Sequence, residues 1–131
     1  MLKLADVETG IIYRNTSSFF GYCGWPTVCR TESGTIFASA SCFRRAHVCP
    51  FGKTALFRSD DYGKTWSLPM VVNDTFLDDR DSGIIALGGD KLLLTWFHHD
   101  YDYYYINRET FAAKHPLTLP VYEMYPTIPE D

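Results

Sequence analysis

The chain has 131 residues, 46% of them hydrophobic and 21% charged, the balance of a globular protein with one small core rather than of a disordered segment. A formal net charge of −4 and the absence of a basic run argue against nucleic acid or an anionic membrane as partner. No apolar stretch approaches the ~20 residues that span a bilayer. The N-terminal "MLKLADVETG" lacks the apolar run of an export signal, so a cytoplasmic location is expected.

Runs rich in β-branched and aromatic residues recur along the chain, separated by Gly, Asn, Asp and Ser. In order they are "GIIYR" (10–14), "PTVCR" (26–30), "GTIFASAS" (34–41), "TALFRS" (54–59), "WSLPMVV" (66–72), "SGIIAL" (82–87) and "KLLLTWF" (91–97). "ESG" (32–34) and "GGD" (88–90) read as tight turns that join neighbouring runs into hairpins. Only "NRETFAAKHP" (107–116) has helical character, a short segment stopped by Pro116. The expected class is all-β.

Cysteines stand at 23, 29, 42 and 49, none of them in the C-x-x-C spacing of zinc or redox sites. Reduced, partly buried thiols are the expectation. Aromatic residues make up 16% of the chain, a supply that suits strand packing first and sugar-binding surfaces second.

A faint repeat sets "GWPTV" (24–28) against "MYPTI" (124–128), an offset of 100 residues. Units of roughly 40–50 residues with four strands each are the mark of β-propeller blades. Residues 25–73 supply four strand runs for one blade, about 82–122 would hold a second, and 124–131 would begin a third. Two blades leave faces without neighbours. The expectation is therefore a part of a longer propeller, or several copies that self-associate through the exposed blade faces.

"SDDYGKTW" (59–66) fits the pattern Ser-x-Asp-x-Gly-x-Thr-Trp at Ser59, Asp61, Gly63, Thr65 and Trp66. Ser59 and Asp61 can bond backbone groups of the turn, Gly63 supplies a positive φ, and Trp66 folds back to bury its ring. This is the Asp-box, and its residues read as structural. With "GWPTVCRTESGTIFASAS" before it and "SLPMVVNDTFLDDRDSGIIALGGDKLLLTWF" after it, the chain resembles bacterial exo-sialidase-like proteins of the neuraminidase superfamily, six-bladed Asp-box (BNR-repeat) propellers. The resemblance covers residues 24–97 well and 98–131 hardly at all.

The resemblance implies glycoside hydrolysis or glycan binding, with no cofactor and no metal. Such enzymes hold the sugar carboxylate with arginines and use a Tyr–Glu pair as nucleophile and an Asp as acid/base. The Tyr–Glu pair and two of the arginines belong to later blades and have no counterpart here. The first family arginine falls at Gly24-Trp25-Pro26, where this chain has none. Arg44 or Arg45 is the match for the next one, and His47 is the nearest ionisable group where the family has its Asp. Asp81, with Arg80 and Asp79, matches the substrate-contacting start of the next inner strand. His47 and Asp81 are thus the catalytic candidates, and Arg44, Arg45, Asp79, Arg80 and Asp81 the substrate-binding ones.

His98 and His99 are consecutive, so on a strand they face opposite ways and do not share one ion. Tyr101, Tyr103 and Tyr105 alternate onto one face and suit either blade packing or sugar stacking. Three functional expectations follow: a sialidase-like hydrolase fragment inactive alone, a non-catalytic carbohydrate- or protein-binding piece, or an oligomer whose copies complete a propeller.

Overall fold

A computed structural model of the chain describes residues 8–75, 77–99, 106–114 and 116. These are mostly β. Strands β1 (Tyr22–Arg30), β2 (Ile36–Arg44), β3 (Lys53–Ser59) and β4 (Met70–Asn73) form one antiparallel sheet in the order β1-β2-β3-β4. Strands β5 (Asp78–Ala86) and β6 (Leu92–His99) form a second antiparallel pair, and α1 (Arg108–Lys114) is a short helix. The predicted helix at 107–116 thus contains α1. Residues 101–105 and 117–131, with the tyrosine run, the second copy of the repeat and the outer strands expected in 101–122, lie almost wholly outside the described residues. Among the described residues no helix is long and apolar enough to cross a membrane.

β2 is the central strand, and its small side chains let both faces be covered. On one face Ala38, Ala40 and Cys42 meet Ala55 and Phe57 of β3, with Tyr13, Phe43 and Trp66 packed against them. On the other face Ser39 and Ser41 are fully buried against β5. Three hydroxyls close a ring there, because each has a single proton to give. Ser82 donates to Ser39 at 3.1 Å, Ser39 to Thr27 at 2.9 Å, and Thr27 to the Ser82 carbonyl at 3.1 Å. The two sheets are therefore joined through a seam of satisfied hydroxyls rather than large apolar side chains. Such a seam fixes the relative register of β1, β2 and β5 because every donor has one acceptor in place.

Three expectations need correction. Residues 10–14 are not a strand: Tyr13 lays its ring 5.5 Å from Phe57 instead, covering the core from outside the sheet. Strand propensity supplies side chains that fit a pleated surface but does not by itself secure a partner, and among the described residues no strand pairs with the outer edge of β1. The fourth strand of the sheet also differs from the expected 66–72, because residues 66–69 complete the Asp-box turn before β4 begins at Met70. Finally, Cys23 and Cys42 form a disulfide, with Cα atoms 4.1 Å apart, while Cys29 and Cys49 are free thiols. The sequence spacing does not reveal this pairing. It arises because the β1–β2 register shifts on either side of Gly24, bringing Cys23 opposite Cys42.

Candidate functional site

The strand directions separate the chain into two chemical ends. Ile36, at the start of β2, pairs with Ser59, while Cys42 near its end pairs with Lys53. β2 has nine residues, so the Asp-box after Ser59 and the guanidinium-bearing end at Arg44 are about 27 Å apart along the sheet.

The Asp-box end is a closed local network. Ser59 Oγ accepts from the Gly63 N–H and donates to Asp61 Oδ1, both at 2.8 Å. Asp61 Oδ1 also accepts from the Thr65 N–H at 2.9 Å and Asp61 Oδ2 from the Thr65 hydroxyl at 2.6 Å. Trp66 Nε1 donates to the Gly63 carbonyl at 3.1 Å, and Gly63 sits at φ 84°, which a side chain would oppose. Every polar group of the motif is committed to the turn. Neighbouring Asp60 accepts from Arg58 and from the Thr35 hydroxyl at 2.8 Å, tying the β1–β2 turn to the same hairpin.

The hydroxyl and amide of Thr65, with the Ser59 hydroxyl, hold the Asp61 carboxyl down to about 2. A carboxyl depressed in the folded state contributes its stability in full above the ordinary value near 4 and loses it as the pH falls toward the depressed one. We therefore expect the protection of the Gly63 and Thr65 amides, taken relative to their intrinsic exchange rates, to fall between about pH 4 and about pH 2. Asp61→Asn flattens that dependence. A wild-type profile with no step in this window contradicts the account.

At the other end, β1 starts, β2 ends, β5 starts and β6 ends. The charged run 78–81, ahead of the strand expected at 82–87, is itself part of β5, so the alternation of a strand sorts its side chains. Asp78 and Arg80 face one way and Asp79 the other, and the pairs Asp78–His99, Asp79–His98 and Arg80–Phe97 extend each face onto β6.

Arg44 is the centre of the first face and is fully buried. Its Nη2 donates to Asp78 Oδ2 at 2.9 Å, with Oδ1 2.7 Å away, and to the His47 carbonyl at 3.0 Å. Its Nη1 donates to Ser41 Oγ at 2.7 Å and to the Asp79 carbonyl at 3.1 Å. Asp78 is buried as well and also accepts from the Cys49 N–H at 3.3 Å. Burial pushes the Asp78 carboxyl up, and the Arg44 and Arg80 guanidiniums pull it back. A Cβ at Gly52 would run into the Arg44 guanidinium and stand 2.7 Å from Asp78 Oδ1, so the ion pair requires the glycine.

Arg80 is nearly as buried and stands with Arg44 around Trp25, the guanidinium carbons 5.0 and 5.3 Å from its ring centroid. Its Nη2 lies 3.2 Å from His47 Nε2, and the His47 ring meets Trp25 edge-on at 5.0 Å. An arginine only donates, so Nε2 of His47 must accept and the ring proton must sit on Nδ1. In that tautomer His47 cannot give up a proton from Nε2, which restricts the acid role expected of it to Nδ1. Proton-detected nitrogen spectra of the histidines are expected to show His47 as the Nδ1–H tautomer at neutral pH, a preference lost in Arg80→Met. A protonated Nε2 in the wild type contradicts the assignment.

The remaining candidates are placed differently. Asp79 is fully buried on the opposite face, where Oδ1 accepts from His98 Nδ1 at 2.6 Å and from the Thr75 hydroxyl at 2.9 Å. Its Oδ2 accepts from the Thr75 N–H at 2.8 Å, so the carboxylate is occupied in closing the loop before β5. Arg45 turns away from Arg44 and lies over Phe19 at 4.4 Å, its N–H directed at Cys49 Sγ. Asp81 is exposed, with φ 43° at the register shift between Arg80 and Gly83.

Trp25 (φ 53°) and Phe43 (φ 56°) are strained in the same way at this end of the sheet. Positive φ in bulky residues costs of order 1–3 kcal/mol each and persists only where the surroundings enforce it. Here the bulges beside Gly24 and after Arg80 re-aim Trp25 and Asp81. Burial and the Arg80 charge hold His99 below the usual histidine value. Asp78, which carries the ion pair, is not among the expected site residues, and His98, weighed only as a metal ligand, holds Asp79 instead. The alternation within "DDRD" is the signal for the first; the second depends on the β5–β6 register.

Among the described residues no cluster of His, Cys, Asp and Glu could hold a metal ion. No protein-family model matches the chain. No curated protein matches it either.

Proposed function

We propose that the chain is a piece of a sialidase-like β-propeller of the glycoside-hydrolase kind, binding a glycan at the end where Trp25, Arg80 and Asp81 meet and inactive as an isolated chain. The observation that carries this reading is the division of labour between the two ends. The Asp-box closes on itself at one end, with Tyr62 (φ 62°) inside its turn, as a purely structural hairpin does, while the buried charges and three of the four positive-φ non-glycine residues among the described ones gather at the other. In this reading β1–β4 are one blade and β5–β6 the inner strands of the next. Arg44 and Asp78 act as positioning residues, and His47 and Asp81 are the groups exposed to a ligand.

A panel of immobilised glycans tests the binding, and a fluorogenic sialoside tests the chemistry. Capture by at least one glycan, lost in Asp81→Ala, with no sialoside turnover, is the expected result. Absence of capture from the whole panel contradicts the glycan reading. Turnover by the isolated chain contradicts its inactivity.

A second reading, self-association of copies into a complete propeller, is favoured by the apolar side chains that β4 to β6 leave exposed, among them Met70, Ile85, Leu93 and Phe97. Light scattering separates the two: a stable multiple of the 15.0 kDa chain mass supports assembly, and a monomer at high concentration contradicts it.

A further inference from the structure

Resting on the glycan reading above, we propose that the ligand at this end is an uncharged, hydroxyl-rich sugar and not a sugar acid. A carboxylate ligand needs a guanidinium or ammonium that is both accessible and free to form a forked pair. Arg44 is fully buried, and its two terminal nitrogens are already bound to Asp78, Ser41, Asp79 and His47. Arg80 is 6% exposed, with one terminal nitrogen on His47 and the other 3.9 Å from Asp78. Both cations are matched from within the protein before any ligand arrives.

The local charge balance points the same way. Among the described residues, Arg44, Arg80 and Arg45 stand against Asp78, Asp79 and Asp81, and Lys53 against Asp74, a sum that is neutral and not positive. His47 faces Arg80 through Nε2 at 3.2 Å. Of the charged groups at this end, Asp81 is the exposed one that is set forward by a bulge. A carboxylate ligand 4 Å from Asp81 would be repelled by about 1 kcal/mol in water and about 4 kcal/mol at a protein surface. Sugar hydroxyls, by contrast, donate to that carboxylate. Phe97, exposed and paired in register with Arg80, offers the apolar face on which the C–H side of a sugar ring stacks, and His99 lies 5.4 Å from it.

The test uses the whole chain titrated at pH 7 with methyl β-galactoside as the neutral probe and with N-acetylneuraminic acid as the acidic one, followed by NMR. The expected result is at least tenfold weaker binding of the acid. Asp81→Asn keeps a residue tolerant of positive φ and removes the charge; it is expected to weaken the neutral glycoside and narrow the preference several-fold. Equal or tighter binding of the acid by the wild type overturns the proposal and leaves the glycan reading standing. Binding of neither probe at tens of millimolar overturns both. An unchanged preference in Asp81→Asn overturns the role assigned to that carboxylate.

Discussion

Arg44→Met is expected to destabilise the chain by about 3–5 kcal/mol, the loss seen when one partner of a buried ion pair is removed. Methionine fills much of the same space but leaves the Asp78 carboxylate buried without its cation. It also takes donors from Ser41 Oγ and from the Asp79 and His47 carbonyls. An unmatched buried acceptor bears its full desolvation penalty, so several groups fail together. Since small domains have only about 5–15 kcal/mol in reserve, the urea midpoint should fall by about a fifth or more. Arg44→Met combined with Asp78→Leu should recover part of the loss, because the uncompensated charge then disappears. A single-variant loss below about 1 kcal/mol would mean that the pair does not organise this end of the fold.

The second large effect concerns Cys23 and Cys42. The bond closes a loop of sequence separation 19, and the entropy removed from the unfolded chain corresponds to about 3 kcal/mol. Cys23→Ala/Cys42→Ala should lose about that much, and a dithiol reductant should lower the wild type to the same level and leave the variant unchanged. The effect is also local. The disulfide fastens β1 to β2 between Trp25 and Arg44, so its loss should quicken amide exchange at those residues before it does so in β3. A variant as stable as the wild type, or a reductant that affects both alike, contradicts the assignment.

How much of this was legible depends on the range of the interaction. The Asp-box could be read bond by bond because its donors and acceptors lie within eight residues of one another, Ser59 to Trp66. The alternation of 34–41 and 54–59 likewise announced β2 and β3. "GIIYR" has the same character and forms no strand, because pairing is settled by a neighbour and not by propensity. "LDDRDSG" stands ahead of the run expected as a strand at 82–87, yet β5 already begins at Asp78, and that aspartate is neutralised by an arginine 34 residues earlier. Arg44 and Asp79 were expected to bind substrate, but both are fully buried and bonded within the protein, which assigns them to support. No local pattern tells a supporting arginine from a ligand-binding one. The cysteines failed for a related reason: only the bulge at Gly24 brings Cys23 opposite Cys42.

On the proposed reading, a ligand meets this protein at the Trp25–Asp81 end and not at the acid-rich turn. A backbone and indole NMR titration of the chain with methyl β-galactoside tests it most directly. The account predicts shifts at the Trp25 indole and at Asp81, Phe97 and His99, with the amides of Asp61, Thr65 and Trp66 unmoved. Shifts confined to the Asp-box hairpin, or none at either end, would contradict it.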